Sequence, residues 1–488
     1  MGLSHSCISR VTGVDVSYKN FNKGAAASLP QRLAIIGQGN SGIEYSTKKF
    51  EVQGSAIDVA EKYGYGSPLH LAAMQLFPVA GESASFPVTI YPVAEGPEAV
   101  AATGNIGVTG EATENGNGSV YIGGIRADFA IRKGDNANAV MTKIKTAIDS
   151  VLEMPVTTGV VAENIPLTAK FKGTSGNMIS VIVECSTAGL VFSVQAMKDG
   201  AIDGDVDDAL AKIGNVWETF VLDLFPYSDT TRLDKYENFG RQRWSAEEKK
   251  PLLVAHGCTD DYETRTAITD ARPTDYINFL VTSTGSRELP FVVAAKAMVS
   301  DIVTTADANP ACGYKGLLTG LHAGDDDVIE PYSVRNMSIQ KGSSNNIKNG
   351  SVAELNDIVT FYHPENEGKY SSRRYVCDLV KLMNVVFNVR LIMEADEKKG
   401  VPLIPDEDVT TNPSAIQPKV VKTELVNLAF SLAKKAIISD AKFTKKNLSV
   451  DIDDENPKRL NVKFPVKLSG NIEVSNADIY FGFYLGGN

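Results

Sequence analysis

Leu33-Ala34-Ile35-Ile36-Gly37-Gln38-Gly39-Asn40-Ser41-Gly42 is the stretch on which the fold reading turns. Its first four residues are apolar without alternation, the pattern of a strand buried on both faces of a sheet. The residues that follow match G-x-G-x-x-G, the spacing of a dinucleotide-binding turn. That turn works only when a helix opens at once, so that its N-terminus faces the pyrophosphate. Here Glu44-Tyr45-Ser46-Thr47-Lys48-Lys49-Phe50-Glu51-Val52 is polar and then extended. The stretch therefore predicts a core strand followed by a glycine loop, and no cofactor is expected.

Outward from this strand the chain reads as α/β. Helical stretches are predicted over 56–62 and 67–76, the second with Leu69, Ala72, Ala73 and Leu76 on one face, and a strand over 87–91. From about 216 to 310, strand runs (217–225, 251–256, 276–281) alternate with helical ones (229–244, 260–270, 290–306). Such alternation implies a mainly parallel sheet covered by helices. Between these halves, residues 95–199 are rich in Gly and Thr. They read as short strands (105–108, 119–122, 128–131, 166–172, 178–185, 190–194) around one helix. Asp135 is placed to cap that helix, and Ala137, Val140, Met141, Ile144, Ile148 and Val151 form its apolar stripe. The C-terminal part predicts an all-round apolar helix over 373–398 and a second from Pro418 with Val421, Leu425, Leu428 and Leu432 inward. Strands over 459–468 and 471–485 follow. The expected division is an N-terminal arm (1–26), an α/β core (27–94 and 200–350), an inserted β-rich domain (95–199), an α+β C-terminal domain (351–469) and a C-terminal arm strand (470–488).

Composition excludes several classes. The 488 residues make about three domains at roughly 150 each. Apolar residues at 43% and charged residues at 22% are ordinary globular values, which sets aside disorder and collagen-like repeats. No run of 18 apolar residues exists, so no membrane insertion is expected. Residues 1–10 lack the pattern of a secretory signal. The net charge, 48 minus 59, is −11. Nucleic-acid coats are built from lysines and arginines that release counterions, so no direct nucleic-acid partner is expected. Cys7, Cys185, Cys258, Cys312 and Cys377 are odd in number and far apart, which argues against a disulfide framework or a metal site.

Two further motifs are decoys for chemistry. His256-Gly257-Cys258 ends a strand, and Gly173-Thr174-Ser175 is similar to a subtilisin nucleophile segment, but the Ser precedes the His and the order is wrong. Asp203-Gly204-Asp205-Val206-Asp207-Asp208 begins like a calcium loop, yet its sixth position is Asp208 where Gly is required and its twelfth is Gly214 where Glu is required. It reads as a solvated acidic turn, as do 325–327 and 451–455. No catalytic residue is assigned and no enzyme activity is expected.

The positive signal lies at the two ends. Val14, Val16 and Tyr18 alternate with Asp15, Ser17 and Lys19, ahead of a loose Gly24-Ala25-Ala26-Ala27-Ser28 linker. Ile472 and Val474, then Ile479, Phe481 and Phe483, alternate at the other end. A lone terminal strand cannot bury its face and needs a sheet to join. Exchange between copies would supply one, through contacts that close into rings or run on as a helix.

The chain resembles contractile-tail sheath proteins of Mu-like bacteriophages over nearly its whole length. The segments that carry the resemblance are Leu29-Pro30-Gln31-Arg32 with the strand after it, Tyr63-Gly64-Tyr65-Gly66-Ser67-Pro68-Leu69, Gly118-Ser119-Val120-Tyr121-Ile122-Gly123-Gly124, Leu167-Thr168-Ala169-Lys170-Phe171-Lys172-Gly173, Asp223-Leu224-Phe225-Pro226-Tyr227-Ser228-Asp229 and Asn356-Asp357-Ile358-Val359-Thr360-Phe361-Tyr362. Residues 324–350 depart from the pattern, and the chain is richer in Lys and Asp than typical members. The resemblance implies a subtilisin-like α/β core without protease residues, a β-rich domain facing outward and a C-terminal domain near an inner tube. It implies that Val14, Val16, Tyr18, Ile472, Val474, Ile479, Phe481 and Phe483 complete sheets in neighbouring copies. It also implies that Lys434, Lys435, Lys442, Lys445 and Lys446 face the tube. The implied partners are further copies in six-fold rings, a tail tube protein, and baseplate and tail terminator proteins. The implied place is a virion tail assembled in the host cytoplasm, driving the tube through the envelope on contraction. The alternatives are the sheath of a bacterial contractile injection device (tailocin or type VI-like) and, distantly, a nucleotide-binding enzyme on residues 33–42.

Overall fold

The structure is a computed structural model that describes residues 25–79, 83–366 and 373–482. It holds two compact units. Among the described residues, the larger comprises those of Ser28–Met383 and 470–482; the smaller comprises Asn384–Ser469 and 25–27. Residues 351–383 of the expected C-terminal domain thus pack with the larger unit.

The larger unit is built on a six-stranded sheet in the order Asn278–Thr282, Leu253–Cys258, Phe220–Asp223, Leu33–Gly37, Val88–Pro92, Phe50–Glu51. All pairs are parallel except the last, in which Phe50 faces Ile90. Every residue of Leu33–Gly37 is buried, as a strand flanked on both sides and covered on both faces must be. Parallel neighbours need crossovers, and helices supply them: Ala56–Tyr63 and Pro68–Leu76, Thr230–Arg243, and Tyr262–Thr269. One face packs Ala34, Ile36, Val221 and Val254 against Phe225, Tyr236 and Ile277. On the other face helix Pro290–Ala297 lies against Leu253–Cys258. A Cβ at Gly257 would sit 1.8 Å from Pro290 O, so backbone meets backbone there.

The residues expected as a β-rich insertion form two antiparallel sheets within this unit. One runs Leu190–Lys198, Ala101–Gly110, Ile165–Lys172, Val156–Thr158; the other runs Ile125–Ile131, Gly116–Ile122, Val181–Cys185. Helix Ala137–Asp149 buries Val140, Met141, Ile144 and Ile148, as its stripe predicts. Its cap is Asn136, which accepts from Ala139 N–H at 2.9 Å, and not Asp135. Asp135 is engaged by Arg132 N–H and the Lys143 ammonium instead. A third sheet orders Leu318–His322, Val352–Asp357 and Asn345–Asn349.

In the smaller unit helix Pro418–Lys434 buries Val421, Leu425, Leu428 and Leu432. It packs with helix Ala441–Asn447 and the hairpin Ser449–Ile452/Leu460–Lys463. The strand expected over 459–468 stops at Lys463 because its partner is only four residues long. Helix Val376–Met393 is shorter than the expected 373–398, since Tyr375 still pairs with Val359 as an isolated bridge. The helix expected over 290–306 is broken by a π-helical turn at Met298–Ile302.

Candidate functional site

The glycine loop sits at the C-terminal ends of the parallel strands, where an open α/β sheet holds ligands. No helix follows it before Ala56. Three consecutive amides of it are spent within the chain. Gly39 N–H donates to Tyr45 Oη at 3.1 Å, Asn40 N–H to Tyr63 O at 2.8 Å and Ser41 N–H to Lys170 O at 2.9 Å. Tyr45 in turn donates to Val93 O at 2.8 Å, and a Cβ at Gly39 would lie 2.7 Å from its ring. The loop is thus packed by the chain's own tyrosine, with no row of free donors left for a phosphate.

His256 is fully buried between Asp223 and Asn278: Nδ1 lies 3.2 Å from Asp223 Oδ2, and Nε2 lies 3.0 Å from Asn278 Oδ1. Tyr236 donates to Asp223 Oδ1 at 3.0 Å. Both ring nitrogens therefore face structural partners. Burial pushes the Cys258 thiol up to about 12, which keeps it protonated and a poor nucleophile. Ser175 is buried in the 3-10 turn Thr174–Met178 of the β-rich part. The expected solvated turn at 203–208 is solvated only in part. Asp205, Asp207 and Asp208 are exposed and pair with Lys235 and Lys212, whereas the Asp203 side chain is only 5% exposed and accepts from Thr174 N–H at 2.7 Å.

The C-terminal residues give the strongest surface feature. Ile472, Val474, Ile479, Tyr480 and Phe481 are each more than four-fifths exposed, at 87%, 81%, 83%, 93% and 88%. Contiguous large apolar side chains in water mark a surface that another element covers. Residues 470–482 belong to no strand of this chain, contrary to the strand expected over 471–485. The reason is physical: a strand needs a ladder partner. The apolar set also changes parity between Val474 and Ile479, across Ser475-Asn476-Ala477-Asp478, so one uninterrupted strand could not bury both sets on one face. Val14, Val16, Tyr18 and Phe483 lie outside the described residues.

The roots of both ends are fixed. Ala26 N–H donates to Ser431 Oγ at 2.8 Å and Ala27 N–H to Asn388 Oδ1 at 2.7 Å, while Asn388 Nδ2 returns a bond to Ala27 O at 2.9 Å. Asn471 Nδ2 donates to Ala311 O at 2.9 Å, and its Oδ1 accepts from the buried Lys381 Nζ at 2.5 Å. Sequence reading missed both asparagines; the available signal was the polar set Asp378, Lys381, Asn384 and Asn388 inside a largely apolar helix.

In the smaller unit Lys434, Lys435, Lys442, Lys445 and Lys446 are all exposed. Lys442, Lys445 and Lys446 stand at i, i+3 and i+4 of helix Ala441–Asn447 and share a face. Lys434, Lys442, Lys445 and Lys446 make no ion pair among the described residues. Helix Pro418–Lys434 presents Val420, Thr423, Asn427, Phe430 and Lys434 outward in one stripe, with Val420 45% and Phe430 40% exposed. An apolar pair on the outer stripe was legible once the inner one was placed.

The Mu-like prophage FluMu tail sheath protein of Haemophilus influenzae is 24% identical over 475 residues, spanning 95% of this chain and 96% of that one. A sheath tail protein of Desulfitobacterium hafniense superposes with a TM-score of 0.50 at 14% identity, over 94% of this chain and 97% of its own, which shows a shared fold. One from Listeria innocua gives a TM-score of 0.48 at 12% identity, over 91% and 93%. No family model matches the chain. The likeness to tail sheath proteins read from the residues is met again in the Haemophilus influenzae relative, over 95% of this chain.

Proposed function

We propose that this chain is a structural subunit of a contractile phage tail sheath, which polymerises helically around a tail tube and contracts to drive that tube through the host envelope. The observation that carries the reading is the end-to-end similarity to a Mu-like tail sheath protein, 24% over 95% of the chain. The exposed apolar C-terminal segment supports it, because such a segment is costly in water and is covered once copies assemble.

In this reading the core is a subtilisin-like sheet without protease function, residues 95–199 face outward, and the C-terminal domain faces the tube. Val14, Val16, Tyr18 and Phe483, with Ile472, Val474, Ile479 and Phe481, complete sheets in neighbouring copies. Lys434, Lys435, Lys442, Lys445 and Lys446 meet the tube through exposed, salt-screened charges, which suits a surface that must let go. Further partners are the baseplate and the tail terminator. Assembly takes place in the host cytoplasm, and the sheath of a bacterial injection device is the same reading in another setting. The extended polymer is kinetically trapped, and contraction repacks the bodies while the strand linkages hold.

Negative-stain microscopy of the purified protein tests this directly. Hollow striated cylinders are the expected result. A monomer that stays monomeric at high concentration, with or without tube protein, refutes the reading.

A further inference from the structure

Helix Val376–Met393 is largely apolar but buries three polar side chains, Lys381, Asn384 and Asn388, of which the first and last hold the chain's two ends. A buried ammonium is tolerated only when its donors are taken. Lys381 Nζ donates to Asp378 Oδ1 at 2.9 Å and to Asn471 Oδ1 at 2.5 Å. Asn471 is held on its other side by Ala311 O, and Cys377 Sγ lies 3.6 Å from the same Oδ1. Two residues on, Lys315 Nζ donates to Glu473 O at 2.7 Å. Residues 474–482 are exposed and belong to no strand of this chain. At the other end Asn388 binds both backbone groups of Ala27. Each terminal segment is thus gripped at its root by a side chain of one helix, within its own compact unit.

We propose that Asn471 and Lys381 form a clasp that presets the departure of the C-terminal arm toward a second copy of this chain, with Asn388 serving the N-terminal arm in the same way. The clasp rests on the sheath reading for its purpose, though not for its geometry. An arm fixed at its root has fewer orientations to lose on docking, so it binds more tightly than a free tail. It also passes tension from the arm into the body through a charge-assisted bond that deep burial protects from salt. Lys381 and Asn471 are positioning residues; the docking contacts are made by the apolar residues farther along.

The test uses the full chain with a nitroxide at Val474→Cys or Tyr480→Cys, in a background carrying Cys7→Ser, Cys185→Ala and Cys312→Ser, with Cys258 and Cys377 buried. In the monomer Asn471→Ala is expected to shorten the rotational correlation time severalfold at 474 and leave 480 unchanged. In the unlabelled protein it is expected to raise the critical concentration for polymer formation roughly tenfold or more. Asn471→Asp keeps an acceptor for Lys381 but has no donor for Ala311 O, so it is expected to fall between wild type and Asn471→Ala. The double variant Lys381→Met/Asn471→Leu removes the buried ammonium and its acceptor at 471 and leaves Asp378, 26% exposed, to solvent, so it folds without the clasp and should match Asn471→Ala. Unchanged mobility at 474 in both clasp-free variants overturns the proposal. So does raised mobility with an unaltered critical concentration. A wild-type chain that never polymerises refutes the sheath reading instead, while the mobility result still decides whether the root is clasped.

Discussion

Replacing Ile479 and Phe481 by serine should abolish assembly without touching the fold. In the single chain these side chains are 83% and 88% exposed, so they contribute almost nothing to its stability. Surface changes of this kind usually move stability within about 0.5 kcal/mol. If both are buried in a neighbouring copy, each is worth about 1.5–3 kcal/mol there. One substitution then raises the critical concentration by roughly 10- to 150-fold, at 1.4 kcal/mol per factor of ten. Together, at about 3–6 kcal/mol, they raise it by at least two orders of magnitude if the sites are independent. The assay is sedimentation of a concentration series with microscopy of the pellets, beside thermal unfolding of the monomer. Polymer at the wild-type concentration would mean that these residues meet water in the assembly too, and the reasoning would fail. A large drop in monomer stability would equally show that the segment packs on its own body.

Other consequences follow from buried charge. Burial pushes the His70 imidazole down to about 4 from an ordinary 6.5, and Nδ1 accepts Gly66 N–H at 3.0 Å. Because the folded value is the lower one, His70 contributes its full stability above about pH 6.5 and loses it as pH falls toward 4, up to about 3 kcal/mol. His70→Asn keeps an acceptor and should flatten that part of the pH–stability curve in urea titrations. Glu330→Ala strands the fully buried Arg265, whose Nη2 now bonds Glu330 Oε2 at 2.6 Å, and should cost about 3–5 kcal/mol in the same assay. Lys442→Glu, Lys445→Glu and Lys446→Glu together should weaken binding to tube protein, and the deficit should shrink as salt rises from about 0.05 to 0.5 M, where screening is short-ranged. A salt-independent deficit would assign these lysines to packing.

Local pattern carried much of the architecture. The unbroken apolar run 33–36 announced a central strand, and the Val421, Leu425, Leu428 and Leu432 stripe announced which face of its helix is buried. Boundaries were less legible. The Asp135/Asn136 ambiguity is one of competing acceptors a residue apart, settled by where Lys143 reaches. The strand expected at 471–485 shows the same limit from the other side: alternation states that a segment can pair, and only a partner makes it do so.

The sequence by itself determined the alternation of strands and helices, the absence of a phosphate-binding helix after Gly42, and the two apolar ends, because each is a matter of residues a few positions apart. Tertiary structure alone decided that Tyr45 fills the glycine loop, that His256 is locked between Asp223 and Asn278, and that Asn471 meets Lys381 and Ala311. The last three residues lie as much as 160 positions apart along the chain. No periodicity joins them; what does is the cost of leaving a buried ammonium without acceptors, which is charged only once the chain has folded.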